Sequence, residues 1–291
     1  MKMCIQKCLL FSLLFSEMLQ AKVPELTIFI HGTATVSKLL VKKLIYCKKG
    51  LHNVDHLSEN SYYQNIAHIF SEQLPEKFNL IDFYTYGWSG ALGFSYREKA
   101  GHKLAIELSA LIELYKRIHS QYPKINIVTF SHGGNVALYL AKFKHLLPQN
   151  IKIDLIMIAP PVQATTEEYI DDICFEKVVI IFSDADVMQR MDPQNLYAPK
   201  KDKSSFFSRR SLAISKPKCK QARITVNGKP IGHTNLFNSF MCHIPYVLKI
   251  MELYNESNIL TIDVQDQEFL FFKGYNFMDV MHGKRKTTLL K

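Results

Sequence analysis

The chain has 291 residues, 47% of them hydrophobic, and a formal net charge of +10. That length and apolar content provide one sizeable core without forcing a second domain, and a core of this size needs no disulfide staples. The excess of lysine and arginine favours an anionic partner, but no nucleic-acid-binding motif accompanies it, so nucleic acid is excluded from the expected partners.

The first residues, Met1-Lys2-Met3, then Lys7, an apolar run over 8–15 and Leu19-Gln20-Ala21, have the layout of a secretory signal peptide over 1–21. The run is far shorter than the roughly 20 residues of a membrane span. Glu17 interrupts it and Leu19 is large for its place, which keeps open the alternative of a buried N-terminal helix in a cytoplasmic protein. Residues 22–291 then form a single domain. Cys47, Cys174, Cys219 and Cys242 are irregularly spaced and are expected to be mostly buried thiols.

Short apolar and β-branched runs alternate with longer helical patterns, which predicts an α/β fold: a mostly parallel central sheet with helices on both faces. Strands are predicted over 26–31, 79–86, 125–130, 151–159, 177–183 and 222–226, several of them almost wholly apolar, as strands buried on both faces should be. Helices are predicted over 61–74, 97–120, 134–146 and 236–254. Two stretches break the alternation and are expected as loop insertions, near 35–60 and 188–220. Residues 259–274 carry two strand-like runs and predict an additional hairpin.

The chemistry concentrates after the third predicted strand. Ser131-His132-Gly133-Gly134-Asn135-Val136 joins strand to helix through a tight turn, and a serine there projects its hydroxyl at the carboxyl end of the sheet. Small residues must flank it so that backbones can approach, and Gly133 fills that need. The G-x-S-x-G signature would place glycine where this chain has Thr129. A second candidate, Ser89 in Gly87-Trp88-Ser89-Gly90-Ala91, also follows a strand, but no helix starts at once behind it and Gly93 would interrupt one.

A serine hydroxyl needs a general base and a group that orients the base. In this fold both must follow the serine in chain order, each in a loop after a later strand. Asp184-Ala185-Asp186-Val187 follows the fifth predicted strand, and His233 closes the loop after the sixth. Asp186 is preferred to Asp184 because it sits farther past the strand end. Ser131 as nucleophile, His233 as base and Asp186 as orienting acid form the expected triad, with the main-chain N–H groups of Thr33 and His132 as the expected oxyanion hole.

The motifs Ile28-Phe29-Ile30-His31-Gly32-Thr33, Tyr86-Gly87-Trp88-Ser89-Gly90, Arg97 and Ser131-His132-Gly133-Gly134-Asn135-Val136-Ala137 resemble bacterial serine esterases and lipases of the α/β-hydrolase superfamily. The resemblance is specific over 26–145 and looser to about 255. It implies a carboxylic-ester hydrolase with this triad and with no metal or organic cofactor. It leaves open a thioesterase or amidase using the same residues, and a binding protein that kept the fold without catalysis.

His52 and His56 lie four apart with Asp55 between them, a spacing that could present two imidazoles on one helix face but lacks the glutamate of a zinc-protease helix. Lys200, Lys201, Lys203, Arg209, Arg210, Lys216, Lys218 and Lys220 form a basic stretch with Phe206, Phe207, Leu212 and Ile214 among them. That mixture suits peripheral contact with an anionic membrane surface, beside a small-molecule or lipid ester as substrate; a solvated loop is the bland alternative.

Overall fold

The computed structural model describes residues 23–33, 47–57, 61–149, 151–191, 208–212, 216–254 and 259–269. The expected leader over 1–21, much of both insertions, Lys200, Lys201, Lys203, Phe206, Phe207, Ile214 and the second strand-like run near the C-terminus lie outside these residues.

In chain order the elements are β1 (Glu25–Ile30), β2 (Gly50–Asn53), α1 (Tyr62–Gln73), β3 (Phe83–Gly87), α2 (Phe94–His119), β4 (Lys124–Phe130), α3 (Gly133–Leu138), β5 (Ile153–Ile158), α4 (Ala164–Glu167), β6 (Phe175–Phe182), α5 (Val187–Met191), β7 (Cys219–Val226), β8 (Lys229–Pro230), α6 (His233–Phe237), α7 (Ile244–Leu253) and β9 (Ile259–Val264). They build one sheet in the order β2-β3-β1-β4-β5-β6-β7, with β8 and β9 both pairing to β7. Among the strands of the described residues, only the β2–β3 and β7–β8 pairs are antiparallel.

Side-chain alternation along the strands sorts two cores. Leu26, Ile28 and Ile30 of β1 face Leu104, Leu108 and Ile112 of α2 and Val136 of α3. Phe29, Val128 and Ile156 face the other way, onto Tyr63, Ile66 and Phe70 of α1 and Val247, Leu248 and Met251 of α7. Because both faces are covered, the inner strands are apolar at nearly every position, which is why they were visible as continuous runs.

The departures from expectation have local causes. The predicted helix over 134–146 stops at Leu138; beyond it Leu140, Ala141 and Lys142 donate to carbonyls three residues back, a tighter winding that keeps Leu140 and Ala141 buried. The predicted helix over 236–254 divides into α6 and α7, and α7 begins around Pro245, which has no N–H to donate and fits the first turn of a helix. The expected loop near 35–60 contains β2, an edge strand. His52 lies on β2 and His56 on the short helical turn after it, so the pair does not share a helix face. The first of the two strand-like runs near the C-terminus forms β9 and adds to β7 in parallel, while the second run of the expected hairpin lies outside the described residues. Among the described residues no helix is long and apolar enough to cross a membrane.

Candidate active site

Strand β1 leads to β3 on one side of the sheet while β4 lies on its other side, so the crevice between β1 and β4 opens where the strand order reverses. Ser131 follows β4 at that crevice. Its φ is 53°, a left-handed value that side-chain-bearing residues other than asparagine and aspartate rarely take, and its N–H is held by the Ile158 carbonyl at 2.8 Å. Strain of this kind persists only where surrounding structure fixes it. Here the fixing is steric. A Cβ on Gly133 would stand 2.5 Å from the Ile30 carbonyl oxygen, and one on Gly32 would stand 2.8 Å from Cβ of Ser131. Both positions need glycine, and together they press the turn after β1 against the turn after β4. Thr129, where the signature would have glycine, is wholly buried and directs its hydroxyl to the Ile156 carbonyl at 3.3 Å, so the departure costs no unpaired polar group.

Thr33 is half-buried at the end of the turn that Gly32 brings against Ser131, and His132 is buried at the start of α3. The turn after β1 is locked by Trp88. The Trp88 main-chain N–H donates to Nε2 of His31 at 3.1 Å and the indole N–H to the His31 carbonyl at 2.7 Å, with the two rings stacked at 5.8 Å. Since Nε2 accepts, the His31 proton sits on Nδ1 and is donated to the Gly32 carbonyl at 2.7 Å. Burial holds the His31 pKa down to about 4, against an ordinary 6.5. The residue is a neutral structural clamp. Ser89, the rival serine, is exposed on the same loop, where its hydroxyl accepts the Ala91 N–H at 3.4 Å, and no helix begins until Phe94.

Asp186 follows β6 and is fully buried; its Oδ2 lies 2.7 Å from Nδ1 of His233 and its Oδ1 accepts the Gln189 main-chain N–H at 3.1 Å. Asp184 is exposed and pairs with Arg223 at 3.3 Å. The loop carrying His233 is tied to the end of β6 by the Ile231 N–H, which donates to the Ser183 hydroxyl at 2.8 Å. The imidazole packs on the ring of Phe130, the residue before Ser131, with centroids 4.7 Å apart. The parallel strands therefore bring Ser131, His233 and Asp186 to one end of the sheet, and it is Asp186, not Asp184, that meets His233.

Supporting residues were invisible in the sequence. The Gln189 side chain donates to the Pro160 carbonyl at 2.7 Å, and Nε of Arg210 donates to the Asp186 carbonyl at 2.8 Å, so the acid loop is held from two sides. Arg210 belongs to the basic stretch, and its neighbours are similarly engaged. Arg209 pairs with Glu167 and exchanges main-chain hydrogen bonds with Val162 at 2.7 and 3.0 Å. Lys216 pairs with Asp171, Lys218 donates to the Asp172 carbonyl at 3.1 Å, and Lys220 donates to the Met251 carbonyl at 2.8 Å. These cations tie segments of the fold together.

A sharp turn at Ser131 after β4, a loop with Asp186 after β6 and a loop with His233 beyond β7, on a mostly parallel sheet, make an α/β-hydrolase fold. Comparisons with known protein families and with curated proteins find no match. Among solved structures the chain is similar to an α/β serine hydrolase homologue from Coxiella burnetii, with 16% identity, a TM-score of 0.39, and coverage of 80% of this chain and 88% of that one. It is also similar to a thermostable esterase from Pseudomonas putida, with 11% identity, a TM-score of 0.35, and coverage of 85% of this chain but 65% of that one. An esterase from Pyrobaculum calidifontis gives 11% identity and a TM-score of 0.33, with 84% and 67% covered.

Proposed function

We propose that the protein is a serine hydrolase that cleaves carboxylic esters through an acyl-enzyme. The observation that carries the proposal is the 2.7 Å contact between Nδ1 of His233 and the fully buried Asp186 carboxylate, in the loops that follow Ser131 in the required order. A buried carboxylate on one ring nitrogen keeps the proton there, leaving Nε2 as the base. Ser131 Oγ attacks the ester carbonyl as Nε2 takes its proton, and the main-chain N–H groups of Thr33 and His132 receive the negative charge on the carbonyl oxygen. Collapse expels the alcohol, protonated by the imidazolium, and leaves Ser131 acylated. Water, deprotonated by the same imidazole, then releases the acid and restores the serine.

The substrate is a small-molecule or lipid ester; thioesters and amides are the alternatives that the same residues could cleave. The proposal extends to export through the leader over 1–21 and to an anionic lipid surface met by the cations near 200–203, since Arg209, Arg210, Lys216 and Lys218 already serve internal contacts.

A fluorophosphonate probe tests the chemistry, because it labels an activated serine and leaves a mere binding protein unmodified. Labelling should map to Ser131 and disappear in Ser131→Ala, together with turnover of p-nitrophenyl esters. A folded protein that takes no label, or one labelled at Ser89, would overturn the assignment. Thioester and amide substrates run beside the ester panel decide among the three bond types.

A further inference from the structure

The most unusual group near Ser131 is a guanidinium. Arg97 lies in the first turns of α2 with no exposure to solvent, in a protein where arginine would ordinarily face water. Its Nη1 donates to the Leu92 carbonyl at 2.6 Å and to Nδ1 of His132 at 3.1 Å, and its charge stacks on the Phe94 ring at 4.7 Å. One turn further along α2, a Cβ on Gly101 would stand 2.5 Å from Cβ of Tyr139 and 2.9 Å from the Val136 carbonyl oxygen. That glycine lets α2 lie directly on the segment that continues from Ser131, which brings the Arg97 head within reach of the turn.

We infer that Arg97, acting through the His132 imidazole, is the positioning residue for the peptide between Ser131 and His132. The inference rests on the proposal that Ser131 is the nucleophile and that the His132 N–H serves the oxyanion. A guanidinium only donates, so Nδ1 of His132 must carry a lone pair and the ring proton must sit on Nε2. Nδ2 of Asn135 also lies 3.4 Å from the same Nδ1, while the Asn135 carbonyl oxygen accepts from Thr166 at 2.5 Å and its Nδ2 donates to the Pro161 carbonyl at 3.0 Å. The imidazole is thereby held from α2 and from its own helix. Because His132 directly follows the strained Ser131, fixing its side chain fixes the rotation of the peptide whose N–H must meet the developing charge. Donors aimed at the transition state act on kcat, whereas looser substrate binding would act on KM.

The test uses the full chain and a soluble short-chain p-nitrophenyl ester. His132→Asn keeps an acceptor, its Oδ1, near the place of Nδ1, while His132→Leu removes it. The expected result is that His132→Leu and Arg97→Met each lower kcat by roughly ten- to a hundredfold with KM nearly unchanged, the scale of a misaligned or lost oxyanion donor. His132→Asn should recover most of the kcat that His132→Leu loses, and the Arg97→Met, His132→Leu pair should lose no more than either alone. Equal kcat for His132→Asn and His132→Leu, or additive losses in the double variant, overturns the inference. Should Arg97→Met fail to fold, the two His132 variants, which leave Arg97 on the Leu92 carbonyl, decide alone. Retained turnover in Ser131→Ala would instead sink the nucleophile assignment, so the two failures are distinguishable.

Discussion

Asp186→Asn isolates the acid, because the two carboxylate oxygens serve different donors. Oδ2 faces Nδ1 of His233 at 2.7 Å and Oδ1 accepts from Gln189 at 3.1 Å. Asparagine has one acceptor oxygen and one NH2 group, so it can serve only one of them. With its oxygen toward Gln189, the NH2 faces Nδ1, which must then accept; the ring proton moves to Nε2 and blocks the atom that should take the serine proton. With its oxygen toward His233 the tautomer is right, but the NH2 is driven against a buried N–H, at a cost of roughly 1–3 kcal/mol. That preference leaves only about one molecule in six to one in 160 correctly arranged, by the same estimate. Every molecule has also lost the negative charge that stabilises the imidazolium, so the combined loss in kcat should reach about 10³–10⁴. Asp184→Asn is the control. That side chain is 54% exposed and its pairing with Arg223 is a surface contact, so turnover and unfolding temperature should hardly change. The assay is kcat on p-nitrophenyl acetate for both variants, with thermal unfolding to verify folding. Asp186→Asn within tenfold of the unmodified protein, or the two variants losing activity equally, would refute the reasoning.

Three other outcomes follow from the same geometry. Burial holds the His31 pKa at about 4 against 6.5 unfolded, so below pH 6.5 the unfolded chain takes up a proton that the folded chain refuses; stability is complete above 6.5 and falls by about 3 kcal/mol toward pH 4. Urea unfolding across that window should show a shallower slope in His31→Gln, and an unchanged slope would mean that His31 does not set it. Gly32→Ala places a Cβ 2.8 Å from Ser131 Cβ and 3.1 Å from the Phe130 carbonyl oxygen, so ester turnover should drop at least about tenfold through displacement of the two turns; an active, stable variant would show the approach to be slack. Ser131→Gly should abolish turnover yet raise stability by about 1 kcal/mol, because glycine adopts the 53° φ without strain. Calorimetry showing a loss of stability would mean that the serine side chain contributes packing that outweighs its strain.

The sequence by itself determined the elements that local pattern controls. Strands β1, β4, β5 and β6 are buried on both faces, so their apolar runs carry the information without reference to any partner. The turn at Ser131 was legible because a left-handed residue followed by close backbone contact requires small neighbours, and Gly133-Gly134 supplies them. Chain order nominated the loops holding Asp186 and His233. The sequence preferred Asp186 to Asp184 only by its distance past the strand end; tertiary structure shows which of the two, identical in chemistry and two residues apart, meets His233. One is sealed under the His233 loop and the other faces Arg223 in solvent. Tertiary structure also decided that Arg210 reaches the Asp186 carbonyl and Arg97 the His132 imidazole, partners 24 and 35 residues away in the chain. The physical reason is the same throughout. Periodicity and turn chemistry are properties of neighbouring residues, whereas the partner of a charged side chain is whatever packing brings within about 3 Å of it.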